Sequence, residues 1–150
     1  MNANRTIPHL CLAVFGVMLP PQSSGDPRVD PDVILWKQIR HGLSQEDGNQ
    51  YFEANLKNAL IPAGIYGVRA LKGTVSSITI ADQTTFMTLR MYGAKEPEVT
   101  LRFATGQAKR SFAEGSLIAF QAVAIDFTKD PFRLALEICD SHCFVELSSK

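Results

Sequence analysis

The feature that most constrains this chain is a change of period near residue 70. Upstream, apolar residues recur at helical spacing; downstream they fall on alternate positions, the mark of strands with one buried face. The run TTFMTLRMY sets Met87, Leu89 and Met91 on one face, with Phe86, Thr88, Arg90 and Tyr92 on the other. EVTLRF turns Val99, Leu101 and Phe103 inward and Thr100 and Arg102 outward, so the two runs predict a hairpin through GAKEPE. In LKGTVSSITI the parity switches, since Leu71, Gly73 and Val75 share one face and Ile78 and Ile80 the opposite one. A bulge or sharp bend inside that strand is expected. GQAKRSFAE then reads as a short helix ended by Gly115, and a long apolar strand, SLIAFQAVAIDF, passes through TKDP into FRLALEIC.

Upstream of the switch, residues 31–62 predict a helical hairpin. Asp30 suits an N-cap and Pro31 a first helical position, and Ile34, Leu35, Ile39 and Leu43 repeat at helical spacing with Trp36 beside them. Gly42 is expected to stop or fray this helix. Ser44 and Asp47 offer caps for a second one, whose stripe of Tyr51, Phe52, Leu56 and Leu60 ends at Pro62.

The expected class is therefore α+β, with a helical hairpin followed by a five-stranded antiparallel β-barrel over residues 70–148. A short helix is expected between the third and fourth barrel strands. The strand order and the stretches LKGTVSS, TFMTLRMY to EVTLRF and GSLIAFQAVAIDFTKDPFRLALEI resemble the OB-fold, in particular the small exported bacterial OB-fold domains grouped near the anticodon-binding type. The resemblance covers residues 70–140 and speaks to fold rather than function.

The start of the chain sets the expected compartment. The first 25 residues hold no acid and a single base, Arg5, ahead of the apolar run LCLAVFGVML and then Pro20 and Pro21. That pattern predicts a signal peptide over 1–25 and a linker over 26–30, with cleavage after Ser23-Ser24-Gly25. Ten apolar residues fall short of the roughly 20 that a membrane-spanning helix needs. The expected protein is thus bacterial and exported, in the periplasm or cell envelope, with no membrane span after cleavage. Lys and Arg total 15, as do Asp and Glu, so no global basic excess drives polyanion binding, and any nucleic-acid role has to be local.

Cys139 and Cys143 frame a turn over Asp140, Ser141 and His142. If CFVEL returns antiparallel to FRLALEIC, the two cysteines face one another and are expected to form a disulfide in an oxidising compartment. Cys139, His142 and Cys143 also make three metal-type ligands, but a structural zinc site wants a fourth, so no metal is expected. A redox pair is the other alternative, without the Cys-x-x-Cys helix start that acidifies a thiol. No cofactor fingerprint, phosphate loop or nucleophile elbow occurs, and an enzyme is not expected.

The ligand-binding expectation falls on the outward face of the second and third barrel strands. It presents Phe86, Arg90, Tyr92 and Arg102, flanked by a loop with Phe127, Lys129 and Phe132. The resemblance implies that this face takes a protein, peptide or glycan. Aromatics interleaved with arginines also suit single-stranded nucleic acid, the alternative reading. The competing expectation is that Phe86 or Tyr92 packs beneath the helices, closing the groove.

Overall fold

The computed structural model describes residues 29–107 and 111–149; the expected signal segment, and the linker as far as residue 28, lie outside them. The alternation becomes strands: β1 (Leu60–Ile61), β2 (Leu71–Ala81), β3 (Thr84–Met91), β4 (Val99–Ala104), β5 (Leu117–Lys129), β6 (Phe132–Glu137) and β7 (Phe144–Leu147). β2 to β6 close a barrel, each pairing with its neighbour in the order β5–β2–β3–β4–β6 and back to β5. Its interior is filled by Leu71, Val75, Met87, Leu89, Leu101, Ile118, Phe120 and Leu136, all at 1% exposure or less. Burying each such side chain contributes about 1.5–3 kcal/mol. The closed barrel is compatible with an OB-like fold.

The expected all-antiparallel barrel is corrected by one pair. β4 and β6 run parallel, from Val99 opposite Leu134 to Arg102 opposite Glu137. The reason is parity: directions cannot alternate around a closed ring of five, so at least one neighbouring pair must run the same way. The predicted bulge lies between Val75 and Ser77. It returns Ile78 to the inward side, where it packs on the core.

The helical region also departs from expectation. One helix, α1 (Pro31–Ser44), is followed by a single turn, α2 (Gly48–Tyr51), which widens into a π-turn over Phe52–Leu56. This is a helix with a short bent coda rather than a hairpin of two comparable helices. Pro31 sits at the helix start as predicted, but the Asp30 side chain makes no capping bond; its carbonyl accepts the Val33 and Ile34 N–H groups instead. Gly42 does not end α1. A Cβ there would stand 2.6 Å from the Tyr51 ring, so glycine lets the coda fold back against the helix.

α1 buries Leu35, Trp36, Ile39 and Leu43 and covers the barrel end formed by the start of β2, the β3–β4 connection and the start of β6. The short helix expected between the third and fourth barrel strands is not found among the described residues: Thr105 and Gly106 form a turn, and Ser111–Ser116 is irregular with a turn at Glu114–Gly115. Residues 108–110, in the middle of that expected helix, lie outside the described residues. No helix among the described residues is long and apolar enough to cross a membrane.

β7 corrects a further expectation. It pairs antiparallel with β5, from Ile118 opposite Leu147 to Gln121 opposite Phe144, and not with β6. β6 stops at Glu137, which leaves the first half of β5 with an open edge; β7 fills it and satisfies backbone groups that a bare edge would leave unpaired.

Candidate functional site

The register aligns outward side chains into rows that cross the strands. Thr79, Phe86, Arg102 and Glu137 form one row; Ser77, Thr88, Thr100 and Ala135 the next; Thr74 and Arg90 begin a third, on whose line Arg133 of β6 lies. The middle row is short side chains, with Ser77 Oγ and Thr88 Oγ1 hydrogen-bonded at 2.6 Å. On β3, β4 and β6 the rows on either side carry long ones. A shallow trough therefore runs across the sheet, floored by hydroxyls and a methyl.

The charges beside it are unequal in their engagement. The Arg102 guanidinium pairs with the Glu137 carboxylate. Glu98, which lies opposite Arg90, is taken by Trp36 Nε1 (3.0 Å) and Arg40 Nε (2.6 Å). Among the described residues Arg90 has no polar partner, and the Nε of Arg133 is buried without one. Past Phe86 and Arg102 the surface drops into a cleft of about 550 Å³ lined also by Glu137, Gln107, Cys139 and Asp140. Gln107 Nε2 donates to Asp140 Oδ1 at 2.7 Å, and Gln107 Oε1 accepts the Ala104 N–H at 2.7 Å, so the far wall is held by its own bonds.

The seven expected ligand-binding residues separate into two groups. Phe86, Arg90 and Arg102 lie on the trough face. Tyr92, Phe127, Lys129 and Phe132 lie in the seam where the helical segment docks. Phe127 packs on Phe52 with ring centres 5.0 Å apart, and Phe132 meets Trp36 edge-on at 6.3 Å with the Arg40 guanidinium 5.5 Å above its ring. Lys129 Nζ donates to the carbonyls of Gln45 (2.6 Å) and Glu46 (3.2 Å) beyond the end of α1. Arg133, Glu137, Gln107 and Asp140 were not singled out by the sequence. Arg133 and Glu137 occupy outward positions of FRLALE, but only the parallel pairing reveals that they adjoin Arg102's strand.

Tyr92 ties the seam together. Its hydroxyl accepts the Lys72 N–H at 3.0 Å and donates to Asp32 Oδ2 at 3.1 Å, and Asp32 is only 8% exposed. Tyr92→Phe removes this donor, leaving the carboxylate with the Val33 N–H at 3.1 Å and Lys72 Nζ at 4.0 Å, and it removes the acceptor of the Lys72 N–H. A cost of about 1–3 kcal/mol is expected in urea unfolding. Burial raises the Tyr92 hydroxyl pKa above the ordinary tyrosine value. This contribution is fully present below about pH 10 and is lost as pH rises through the folded value. The variant is therefore expected to flatten the alkaline fall in stability.

Cys139 and Cys143 form a disulfide-capable pair with Cα atoms 5.1 Å apart. Their proximity comes from the tight turn between β6 and β7 rather than from facing positions in a hairpin. His142 presents its backbone carbonyl to Gln121 Nε2 at 3.2 Å. Among the described residues no group of three or more His, Cys, Asp or Glu could hold a metal. With the pair oxidised, Cys143→Ser is expected to lose about 2 kcal/mol of stability, measured without reductant. Comparison with family models, with curated proteins and with solved structures gives no match.

Proposed function

We propose that the chain is a non-catalytic, exported binding module of the bacterial cell envelope, related to the OB-like exported domains it resembles. Its ligand, a protein, peptide or glycan, lies across the trough on β2, β3, β4 and β6. One observation carries this reading. Four of the seven expected contact residues are consumed in seating the helical segment, yet that segment leaves the trough uncovered, with Phe86 beside it and two guanidinium groups lacking partners among the described residues. Unpaired guanidinium groups on an uncovered face leave forked donors available to a ligand.

The test is photo-crosslinking in the exporting host. A photoreactive residue at Thr88 is expected to capture a partner that one at Lys37, on α1, does not; equal yields from both would sink the reading. Intact mass of the recovered protein reads export directly. A chain starting near Asp26 and lighter by two thiol hydrogens is expected, and a full-length chain with free thiols would contradict it.

The arginines also favour a second reading, single-stranded nucleic-acid binding. It requires affinity that falls steeply with salt and weakens in Arg90→Ala or Arg102→Ala. Absence of binding at low salt removes it.

A further inference from the structure

We propose that the trough recognises an acidic polysaccharide, one whose sugar rings carry carboxylates; this rests on the reading of that face as the binding surface. Arg133 Nε is a buried donor without an acceptor, and Arg90 stands exposed with no polar partner among the described residues. Neither guanidinium therefore has a partner among the described residues that a ligand carboxylate would have to displace. Guanidinium groups offer paired N–H donors whose fork matches a carboxylate.

Spacing and composition then narrow the class. Arg90 on β3 and Arg133 on β6 are two strands apart, roughly 10 Å from the inter-strand distance. Two isolated cations at that separation suit a polymer with charges spaced by whole sugar units. Glu98 of the β3–β4 connection lies between them, but it is buried and its carboxylate is taken by Trp36 and Arg40. The row alongside is a floor of hydroxyls, Ser77, Thr88 and Thr100, which can exchange hydrogen bonds with sugar hydroxyls. At the rim the half-buried Phe86 ring gives one apolar platform for the face of a pyranose.

Nucleic acid fits this surface less well. Stacked bases want a succession of aromatics, and Tyr92, Phe127 and Phe132 are already engaged in the helix seam. A phosphodiester chain also carries denser charge, whereas here Glu137 neutralises Arg102.

The experiment is amide chemical-shift mapping of the full chain with oligogalacturonate. Parallel titrations use the same oligosaccharide with its carboxylates reduced to alcohols, and a thymidine oligonucleotide. Oligogalacturonate is expected to shift Thr88, Arg90, Thr100 and Ala135, to weaken with salt, and to lose about tenfold in affinity in each of Arg90→Gln and Arg133→Gln. Both variants are expected to keep the wild-type melting transition, which separates lost binding from lost fold. Equal binding of the reduced oligosaccharide on the same residues would overturn the acidic class while leaving the face as a glycan site. Binding of the thymidine oligonucleotide alone would overturn it in favour of nucleic acid. Shifts confined to other residues, or none from any probe, would overturn it.

Discussion

Trp36→Ala is expected to lower the unfolding free energy by about 3–5 kcal/mol, the largest single effect on this chain. The ring is 3% exposed, meets Phe132 edge-on, and donates its N–H to Glu98, itself 7% exposed. Truncation removes that apolar area, opens a cavity between α1 and the barrel, and leaves one carboxylate oxygen of a buried Glu98 without its donor. Trp36→Phe separates the parts: it keeps most of the volume and loses only the hydrogen bond, so about 1–3 kcal/mol is expected. Trp36 is the sole tryptophan, so its fluorescence in the wild-type protein reports seating of the helix, while far-UV dichroism reports the strands. Coincident urea transitions by the two probes would mean that helix and barrel form one cooperative unit. A loss below 1 kcal/mol in Trp36→Ala would show that α1 is an accessory to a barrel stable without it.

Gly48→Ala is the second large effect. A Cβ at this position would sit 2.1 Å from the Leu43 carbonyl oxygen and 2.9 Å from its carbon, with Lys129 Cε at 3.0 Å. The lysine tip can move, but the Leu43 backbone belongs to α1 and moves only with the helix. The expected loss is about 3 kcal/mol, at the upper end for an overpacked site. Gly93→Ala is the comparison, because its φ is +82° and nothing lies within 4 Å of the added Cβ. It carries conformational strain without a clash, about 1–2 kcal/mol. Urea midpoints at constant m-value for the two variants distinguish steric crowding at the α1–α2 junction from simple loss of glycine freedom. Equal midpoints would refute the crowding argument.

How much of this was legible depended on whether the information was local. Alternation located β3, β4 and β6 to within two residues, because side-chain direction in a strand is set by its neighbours along the chain. The parity break between Val75 and Ile78 gave the bulge for the same reason. Pairing partners were another matter. That β7 joins β5 rather than β6 depends on where β6 stops and which edge remains open, and nothing in CFVEL encodes that. The parallel β4–β6 pair was different again, since an odd number of strands in a closed ring already requires one parallel pair, though it does not fix the position.

The candidate site divides along the same line. Outward positions at Phe86, Arg90, Arg102 and Tyr92 could be read from alternation, whereas Phe132 shares the inward parity of Leu134 and Leu136. Alternation cannot tell an outward ring that meets water from one that meets an appended helix. Phe132 under Trp36 and Lys129 on the carbonyls of Gln45 and Glu46 are decided by a segment far away in the chain.

That distance bears on how the protein is made. Lys129 lies 84 residues beyond the Gln45 carbonyl it holds. At about 5–20 residues per second, roughly 4–17 s pass between synthesis of the helix and arrival of this anchor, with Phe132 following three residues later. Through that interval Leu35, Trp36, Ile39 and Leu43 have no barrel to cover them. The nascent chain thus presents a temporary apolar stripe, and a chaperone that recognises it has a window of seconds, which closes when β6 completes the seat.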